Sequence, residues 1–385
     1  MDLANKGPAE GWVIPQSAYI HIPFCRHRCG YCNFSVVANR NDLINRFIEA
    51  ISIELRALKR PSLQTLFLGG GTPTHLPNRE LRLLIQRIRD SFDLSHLDEF
   101  SVEANPEDIE ESKLEILAEA GVNRISLGVQ SFQPSKLEVL QRTHSPEKAI
   151  AAIEQAATYF PNISIDLIFA VPNESSSQWL ADLETAFNLP IRHLSTYALT
   201  FEKGTQFWTA QHQGKIKPID ESVEVEMYKN TQRLCGANGF SHYEVSNFCK
   251  PNSKCQHNMA YWKGEGWYAA GPGAARFVDG VREVNHRSTT TYVRRIEQGE
   301  SPTAEHESIS LTQYTKERAA FGIRLLEGFN IEALNQHVGF DTHQFLQHAI
   351  ERSIHDGLLS LKENHLKLSE KGILFADTVA QRLLD

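Results

Sequence analysis

The sequence lacks several features that would place it in familiar classes of protein. No stretch of its 385 residues approaches the roughly 18 consecutive apolar residues of a membrane span. The N-terminal segment MDLANKGPAEGW has no apolar core of the kind found in secretory signals, so we expect a cytoplasmic protein. Basic residues are not in excess, because 47 Asp and Glu stand against 39 Lys and Arg and the net charge is −8. That charge argues against a protein that binds nucleic acid through a basic face.

Disulfide bonds are also not expected, because a chain that is not exported stays in a reducing compartment and its six cysteines remain thiols. Three of them cluster at Cys25, Cys29 and Cys32 in HIPFCRHRCGYCNFSV, and a fourth is missing because position 34 is Phe34. Zinc normally takes four ligands, supplied by two separated pairs. Three thiolates on one loop instead suit three corners of a 4Fe-4S cluster, and they leave one iron open.

The remaining cysteines give a weaker metal signal. Cys249 and Cys255 lie just before His257, and the spacing C-x5-C-x-H could hold a metal. Two thiolates and one imidazole fall short of a complete structural zinc site. We therefore interpret these two as loop cysteines without metal, and Cys235 as a buried apolar residue.

Apolar runs with β character alternate with segments of helical periodicity over the first 240 residues. We predict six strands, at 17–24, 65–71, 99–106, 124–131, 163–172 and 193–201. Helices are predicted after them, at 43–58, 79–90, 111–121, 146–159, 177–187 and 219–237. Such alternation gives parallel strands with crossover helices. Six units are fewer than the eight of a closed barrel, so we predict an α/β fold built on an open, partial (β/α)6 barrel; a strongly curved parallel sheet is the alternative.

Four segments are predicted along the chain. They are an N-terminal extension at 1–16, the barrel at 17–240, a barrel extension rich in Gly and aromatic residues at 241–300, and a C-terminal domain at 301–385. The last segment is mostly helical, and its final strand, turn, strand and helix resemble a winged-helix domain. It carries 8 Lys and Arg against 12 Asp and Glu, a sign that disfavours DNA binding. We expect it to cover the open side of the barrel or to contact a protein partner.

Polar residues lie at or near the ends of the predicted strands. Because parallel strands end on one face, the segment GGGTPT (69–74), Glu103, Gln130, Asp166 and Tyr197 should converge on the cysteine loop. Glycines let backbone groups approach a small charged ligand closely. Carboxylates accept hydrogen bonds from hydroxyl and ammonium groups. We therefore predict a binding site for a small polar ligand at this face.

The C-x3-C-x2-C spacing, with the aromatic Tyr31 before Cys32, resembles the motif of the radical S-adenosylmethionine (radical SAM) superfamily. The resemblance implies that the open iron holds the amino and carboxylate groups of S-adenosylmethionine (SAM), which one electron cleaves to methionine and a 5′-deoxyadenosyl radical. It also implies a set of SAM-binding residues: Tyr19, Tyr31, Gly70, Gly71, Thr72, Glu103, Gln130, Arg142 and Asp166. Arg142 would meet the methionine carboxylate; an ordinary surface arginine is the alternative.

Five segments are similar to the coproporphyrinogen III oxidase (HemN-like) group of this superfamily: YIHIPFC, FLGGGTPT, SVEANPE, RISLGVQSF and SIDLIFAVPNES. This group has an oxidase branch, which decarboxylates coproporphyrinogen III without oxygen, and a heme chaperone branch, HemW, which passes heme to acceptor proteins. The oxidases carry a fourth cysteine where this chain has Phe34, and they have a longer N-terminal arm. Both departures favour the chaperone branch.

HNMAYW, from His257 to Trp262, resembles the HNxxYW motif of the chaperone branch, in which the histidine is implicated in heme binding. Imidazole is a good axial ligand for heme iron, and aromatic residues can pack on a porphyrin face. The resemblance thus implies heme contacts from His257, Asn258, Tyr261 and Trp262. The alternative is a structural histidine with both aromatic residues in the core. Heme or porphyrin, a heme-acceptor protein and an electron donor are the partners implied.

Three functions stay open at this stage. The first is a heme chaperone that keeps its 4Fe-4S cluster and SAM site. The second is an oxygen-independent coproporphyrinogen III oxidase, or a radical enzyme with another substrate, which the complete set of SAM residues would serve. The third is a protein in which the cluster only controls structure or electron flow. We assign no single residue as catalytic.

Overall fold

The predicted alternation of strand and helix is confirmed by the computed structural model, which describes residues 7–385; the first six residues of the predicted N-terminal extension lie outside the described residues. Strands β1 to β17 and helices α1 to α16 are numbered along the chain. The largest sheet has nine strands in the spatial order β11 (Tyr268–Ala270), β1 (Ser17–Ile22), β4 (Thr65–Gly70), β5 (Glu99–Ala104), β6 (Arg124–Gln130), β7 (Asn162–Phe169), β8 (His193–Ala198), β10 (Asn247–Cys249) and β9 (Ser241–Glu244).

This sheet contains the six predicted parallel strands and is wider than the sequence indicated. At one edge β11 pairs in parallel with β1, and at the other the β9–β10 hairpin pairs antiparallel with β8. The three added strands are only three or four residues long, which is too short for their periodicity to be read from the sequence. The barrel therefore stays open, but both edges of its six-stranded centre are covered.

Helices follow the strands, and most of them pack on the outside of the sheet. They are α1 (Ile44–Ala57), α2 (Asn78–Ser91), α3 (Glu111–Glu119), α4 (Pro134–Val139), α5 (Pro146–Ala157), α6 (Ser176–Phe187), α7 (Gln206–His212) and α8 (Glu221–Ala237). Short 3-10 turns lie at Asn41–Leu43, Pro73–His75 and Pro106–Asp108. The start of α6 is fixed by a capping box, in which Ser175 accepts a hydrogen bond from the backbone of Gln178 and the Gln178 side chain accepts one in return.

The two faces of the barrel strands differ in chemistry. In β1, Ala18, Ile20 and Ile22 belong to the hydrophobic core beneath the helices, whereas Tyr19 and His21 line the barrel interior. The other strands alternate in the same way because successive side chains point to opposite faces. A parallel sheet covered on both faces would be apolar throughout. The polar inner face therefore indicates that the barrel encloses a site and not a second hydrophobic core.

The chain after the barrel adds helices and two small sheets. Helix α9 (Gln256–Trp262) precedes β11, and α10 (Thr289–Glu297) packs on α1. Strands β12 (Ala275–Val278), β13 (Val281–Asn285) and β14 (Thr303–Ser308) form one antiparallel sheet. Because β14 pairs with β13, this sheet crosses the predicted boundary at residue 300. The division of the chain into the four predicted segments stays a prediction.

The C-terminal segment has its own hydrophobic core and the predicted winged-helix order of elements. Its helices are α11 (Leu311–Gly322), α12 (Ile331–Val338), α13 (Thr342–Phe345), α14 (Gln347–His355), α15 (Glu370–Ile373) and α16 (Ala376–Leu384). Its strands are β15 (Phe329–Asn330), β16 (Leu359–Lys362) and β17 (His365–Leu368). The predicted turn between β16 and β17 has positive φ at Glu363 and Asn364, as a tight two-residue hairpin requires. Within residues 7–385, no helix has the length and apolar character needed to cross a membrane.

Candidate functional site: one cavity inside the barrel

A cavity of about 1310 Å³ occupies the barrel interior. Side chains from β1 and from β4 to β8 line it, together with residues of the cysteine loop, of α9 and of the segment 373–378. Typical small-molecule pockets measure roughly 300–1,000 Å³. The cavity can therefore hold more than one small ligand, or one unusually large ligand.

The cysteine loop, residues 25–37, is closed at its base by a short parallel pair in which β2 (Phe24–Cys25) contacts β3 (Val37–Ala38). Inside the loop, the amide of Cys32 donates to the carbonyl of Cys29 at 3.1 Å. Gly30 packs so closely against Phe207 that a Cβ there would lie 2.6 Å from the ring. The three thiols are thus carried by a folded loop at the C-terminal end of β1.

Hydrogen-bond donors meet two of these thiols. Thr72 Oγ1 donates to Cys25 Sγ at 3.6 Å, and Arg142 Nη1 donates to Cys29 Sγ at 3.5 Å. Burial raises the pKa of Cys25 to about 12 and also raises the pKa of Cys32, so the thiolate forms need a positive partner. In the described part of the chain no three His, Cys, Asp or Glu side chains are close enough to share one metal ion. The fit to a 4Fe-4S cluster therefore rests on two features. Three thiols are available to bind three irons, and the Thr72 hydroxyl and the Arg142 guanidinium donate hydrogen bonds to two of these thiols.

The glycine-rich segment joins this loop to the barrel interior. Gly70 has φ +96°, and its amide donates to Glu103 Oε2 at 2.8 Å. A Cβ on Gly71 would lie 2.5 Å from the carbonyl oxygen of Ile22, so a side chain is excluded there. Thr72 accepts a 2.7 Å hydrogen bond from Asn105 while it donates to Cys25. Gly70, Gly71 and Thr72 therefore connect the carboxylate site with the cysteine loop.

Two half-buried carboxyl groups, those of Glu103 and Asp166, face the cavity in the middle of the barrel. Burial raises the pKa of Glu103 to about 7, and the nearby charge of Asp166 contributes to that rise. Burial also raises the pKa of Asp166, although Ser195 and Arg124 oppose the effect. A cationic group of a ligand would stabilise the ionised form of both. The pair therefore suits the positive part of a small ligand.

The other predicted SAM residues surround this pair. Tyr19, Tyr31 and Gln130 line the cavity, and the hydroxyl of Tyr19 lies 3.1 Å from Nδ1 of His21. Arg142 is held in place because Nη2 donates to Asn105 Oδ1 at 2.6 Å and to the carbonyl of Gly128 at 2.8 Å. The structure therefore brings all nine predicted SAM residues into one connected region.

Gln130 has an unusual backbone, with φ +67° at the end of β6. The turn that follows it is fixed by Asp182, which accepts from the amide of Phe132 and the hydroxyl of Ser131 at 2.7 Å each. Lys136 Nζ contacts Asp182 at 2.9 Å and Glu174 at 2.5 Å, and all three side chains are buried. This ion triad therefore holds the turn from which Gln130 reaches the cavity.

His257 lies at the other end of the barrel, which we call the deep end, with Asn258, Tyr261 and Phe67. Its Nδ1 is 2.9 Å from the hydroxyl of Thr65, the first residue of β4, and its Nε2 is 2.8 Å from the hydroxyl of Tyr261. The ring stacks on Phe67 with centroids 5.2 Å apart. Burial lowers the pKa of His257 to about 3, so the imidazole is neutral.

The deep end and the cysteine loop are therefore separated by about the length of one strand, roughly 17 Å. Trp262 does not join the cavity. Its ring lies 4.8 Å beneath the guanidinium of Arg324, and it lines a separate pocket of about 200 Å³. The sequence alone favours loop positions without metal for Cys249 and Cys255. Cys249 is instead the last residue of β10, and Cys255 precedes α9 and donates to Glu99 Oε1 at 3.5 Å.

Sequence reasoning missed several residues of the site. Glu99 accepts from the amides of Gln256 and His257 and so fixes the start of α9 at the bottom of the barrel. His21 and Arg124 line the cavity from the inner faces of β1 and β6. These inner faces could have been predicted from the sequence, because polar residues recur there at every second position of the strands. No comparable signal marks the segment 373–378, because its place at the cavity depends on how the C-terminal helices pack.

The family model of the radical SAM superfamily matches residues 19–186, and that of the HemN C-terminal domain matches residues 309–375. The heme chaperone HemW of Lactococcus lactis is 32% identical over 96% of this chain and 97% of its own length. The heme chaperone HemW of Mycobacterium tuberculosis (H37Rv) is 34% identical over 100% of this chain and 98% of its own length.

Two further relatives extend the comparison. The mitochondrial radical S-adenosyl methionine domain-containing protein 1 of Danio rerio is 31% identical over 97% of this chain and 87% of its own length. Among solved structures, the coproporphyrinogen III oxidase HemN of Escherichia coli superposes with a TM-score of 0.84 over 96% of this chain and 90% of that protein. Its sequence identity is 20%, so this likeness concerns the fold.

Proposed function

Because the chain belongs to the HemW family of the radical SAM superfamily, we propose that it binds heme and transfers it to acceptor proteins. The single observation that carries this proposal is the barrel cavity, which has Cys32 and other residues of the cysteine loop at one end and His257 at the other. Phe34 adds support, because it lines the same cavity at the position where the oxidase branch has its fourth cysteine.

The cofactors of the chain are a 4Fe-4S cluster and SAM. In this proposal Cys25, Cys29 and Cys32 ligate the cluster, and Thr72 and Arg142 donate hydrogen bonds to its sulfur ligands. When bound, the cluster supplies one-electron chemistry to SAM. Glu103 and Asp166 then attract the positive part of SAM, and Gly70 and Gly71 leave room for it beside the backbone.

His257 would hold heme by binding its iron through the imidazole ring. Its neutral imidazole is the form that binds iron, and Thr65 fixes the ring through Nδ1, so that Nε2 is the nitrogen left to bind. The Tyr261 hydroxyl lies 2.8 Å from Nε2 and would have to release this nitrogen for iron to bind there. Asn258 and Tyr261 line the cavity beside the ring and complete this part of the proposed heme site. For Trp262, which lies outside the cavity, we propose a packing role beneath Arg324.

Heme titration followed by absorption spectroscopy tests this proposal. We expect saturable binding by the wild-type protein, with and without the cluster, and a changed spectrum and weaker binding in His257→Ala. His193→Ala is a matched control, because His193 is also buried and held by one hydroxyl and one tyrosine, Ser164 and Tyr243, but it lies outside the cavity. Absence of saturable binding by the wild-type protein would contradict the proposed function. Equal loss in both variants would contradict the role of His257.

The proposed partners are a heme-acceptor protein and an electron donor. No nucleic acid is among them. A cytoplasmic location is also part of the proposal.

The second candidate function is an oxygen-independent coproporphyrinogen III oxidase. The observation that favours it is the connected set of SAM residues, since a carrier alone would not need Glu103, Asp166 and Arg142 in this arrangement. The exposed Phe34 argues against it, because no thiol is present at that position. Turnover of coproporphyrinogen III separates the two functions.

A further inference from the structure

Three exposed aromatic side chains line the barrel cavity, and the radical SAM site does not explain them. Phe34 is 62% exposed, Tyr197 is 43% exposed and Phe375 is 40% exposed. They come from the cysteine loop, the end of β8 and the residue before α16. Side chains that are exposed and also line a cavity must lie at its opening. We call this opening the mouth and define it by Phe34, Tyr197, Phe375, Arg287 and Arg324.

Each of the two arginines of the mouth contacts a residue that lies close in sequence to one of these aromatics. Arg287 is exposed, and its Nη2 donates to the carbonyl of Asn33, the neighbour of Phe34. Arg324 pairs with Asp377 at 3.1 Å, two residues after Phe375. The hydrogen-bond partners of Arg287 in the described residues are the oxygens of Asn33, which are neutral. Its positive charge is therefore available to an anionic ligand.

Acidic residues also line this part of the cavity. They are Glu202, Glu224 and Asp377, of which Asp377 already neutralises Arg324. A ligand without negative charge would gain nothing from Arg287, and a ligand with many negative charges would be repelled by Glu202 and Glu224. The mouth therefore suits a large, flat, mostly apolar molecule with one or two carboxylates at an edge.

We propose that the mouth is a heme-binding site distinct from the deep end, in which the aromatic side chains contact the porphyrin face and Arg287 binds a propionate. This inference rests on the proposed function, because it assumes that heme is the ligand. Aromatic rings stack favourably on a flat π system, and guanidinium groups bind carboxylates with two hydrogen bonds. Heme held at the mouth remains within reach of an acceptor protein, whereas His257 is 1% exposed and is not.

The experiment compares two substitutions at the mouth with two matched controls. Arg287→Gln removes the proposed propionate contact, and Phe375→Ala removes part of the proposed aromatic surface. Arg294→Gln and Phe345→Ala are the controls, because Arg294 is also exposed, Phe345 is 37% exposed, and neither lines the cavity. All variants are titrated with heme and with the dimethyl ester of heme, which has no free carboxylates. A thermal melting curve verifies that each variant is folded.

We expect Arg287→Gln to weaken heme binding about tenfold, as loss of a charge-assisted hydrogen bond would, and to leave binding of the dimethyl ester unchanged. Phe375→Ala should weaken binding of both ligands, by roughly threefold to tenfold. The controls should bind like the wild-type protein. Wild-type affinity in both mouth variants would overturn this inference and leave the proposed function intact. Failure of the wild-type protein to bind heme would overturn the proposed function itself.

Discussion

Glu103→Gln should stabilise the ligand-free protein above pH 7, although Glu103 belongs to the proposed SAM site. The pKa of Glu103 rises from its ordinary value of 4.5 to about 7 because the carboxyl is buried and lies near Asp166. The folded protein therefore holds this proton up to about pH 7, whereas the unfolded chain releases it near pH 4.5. Between these values the folded state binds more protons, so its stability falls as the pH rises. The difference between the two pKa values corresponds to about 3 kcal/mol.

The substitution removes this loss of stability. A glutamine keeps an oxygen that can accept the 2.8 Å hydrogen bond from the Gly70 amide, and it carries no charge at any pH. The variant should therefore gain about 3 kcal/mol over the wild-type protein between pH 5 and pH 8. At about 2 °C per kcal/mol for a domain of this size, its melting temperature should rise by about 6 °C relative to the wild type.

Thermal melting of the cluster-free and SAM-free proteins at pH 5 and pH 8 measures this effect. Glu184→Gln, which changes an exposed carboxylate on α6, is the control. Binding of SAM to the reconstituted protein should show the opposite trend, because the wild-type carboxylate attracts a cation more strongly as the pH rises through 7. A difference in melting temperature that does not depend on pH would contradict the raised pKa of Glu103. A variant less stable than the wild type at pH 8 would refute it as well.

Two further predictions concern the scaffold of the site. Lys136→Met should lower the free energy of unfolding by about 3–5 kcal/mol, because it leaves two buried carboxylates without their cation; a melting temperature within about 2 °C of the wild type would contradict this. Gly71→Ala should weaken SAM binding at least tenfold in an equilibrium titration, because the new Cβ would lie 2.5 Å from a backbone oxygen. Gly236→Ala has open space around its Cβ and is the control; equal affinities in the two glycine variants would count against the role of the glycine-rich segment.

The sequence predicted the six central strands and the C-terminal fold well, since both depend on local patterns. Short apolar runs of β-forming residues define the strands, and Glu363 and Asn364 mark the final hairpin. Convergence of Glu103, Gln130 and Asp166 followed from the rule that parallel strands end on one face. These parts needed no knowledge of packing between distant segments.

Long-range packing decided what the sequence could not predict. Nothing local to HNMAYW shows that His257 contacts Thr65, which lies 192 residues earlier, at the bottom of the barrel. The same holds for Trp262, which packs beneath Arg324 and away from the cavity. Helical periodicity would have separated these two residues, because positions 257 and 261 share a face of α9 and position 262 does not.

Anaerobic incubation with coproporphyrinogen III, SAM and a reductant tests most directly whether this chain carries heme or makes a heme precursor. The protein is reconstituted with its cluster, and the product is quantified against the amount of chain. We expect no protoporphyrinogen beyond background, together with saturable heme binding by the same preparation. Formation of several protoporphyrinogen molecules per chain would contradict the proposed function.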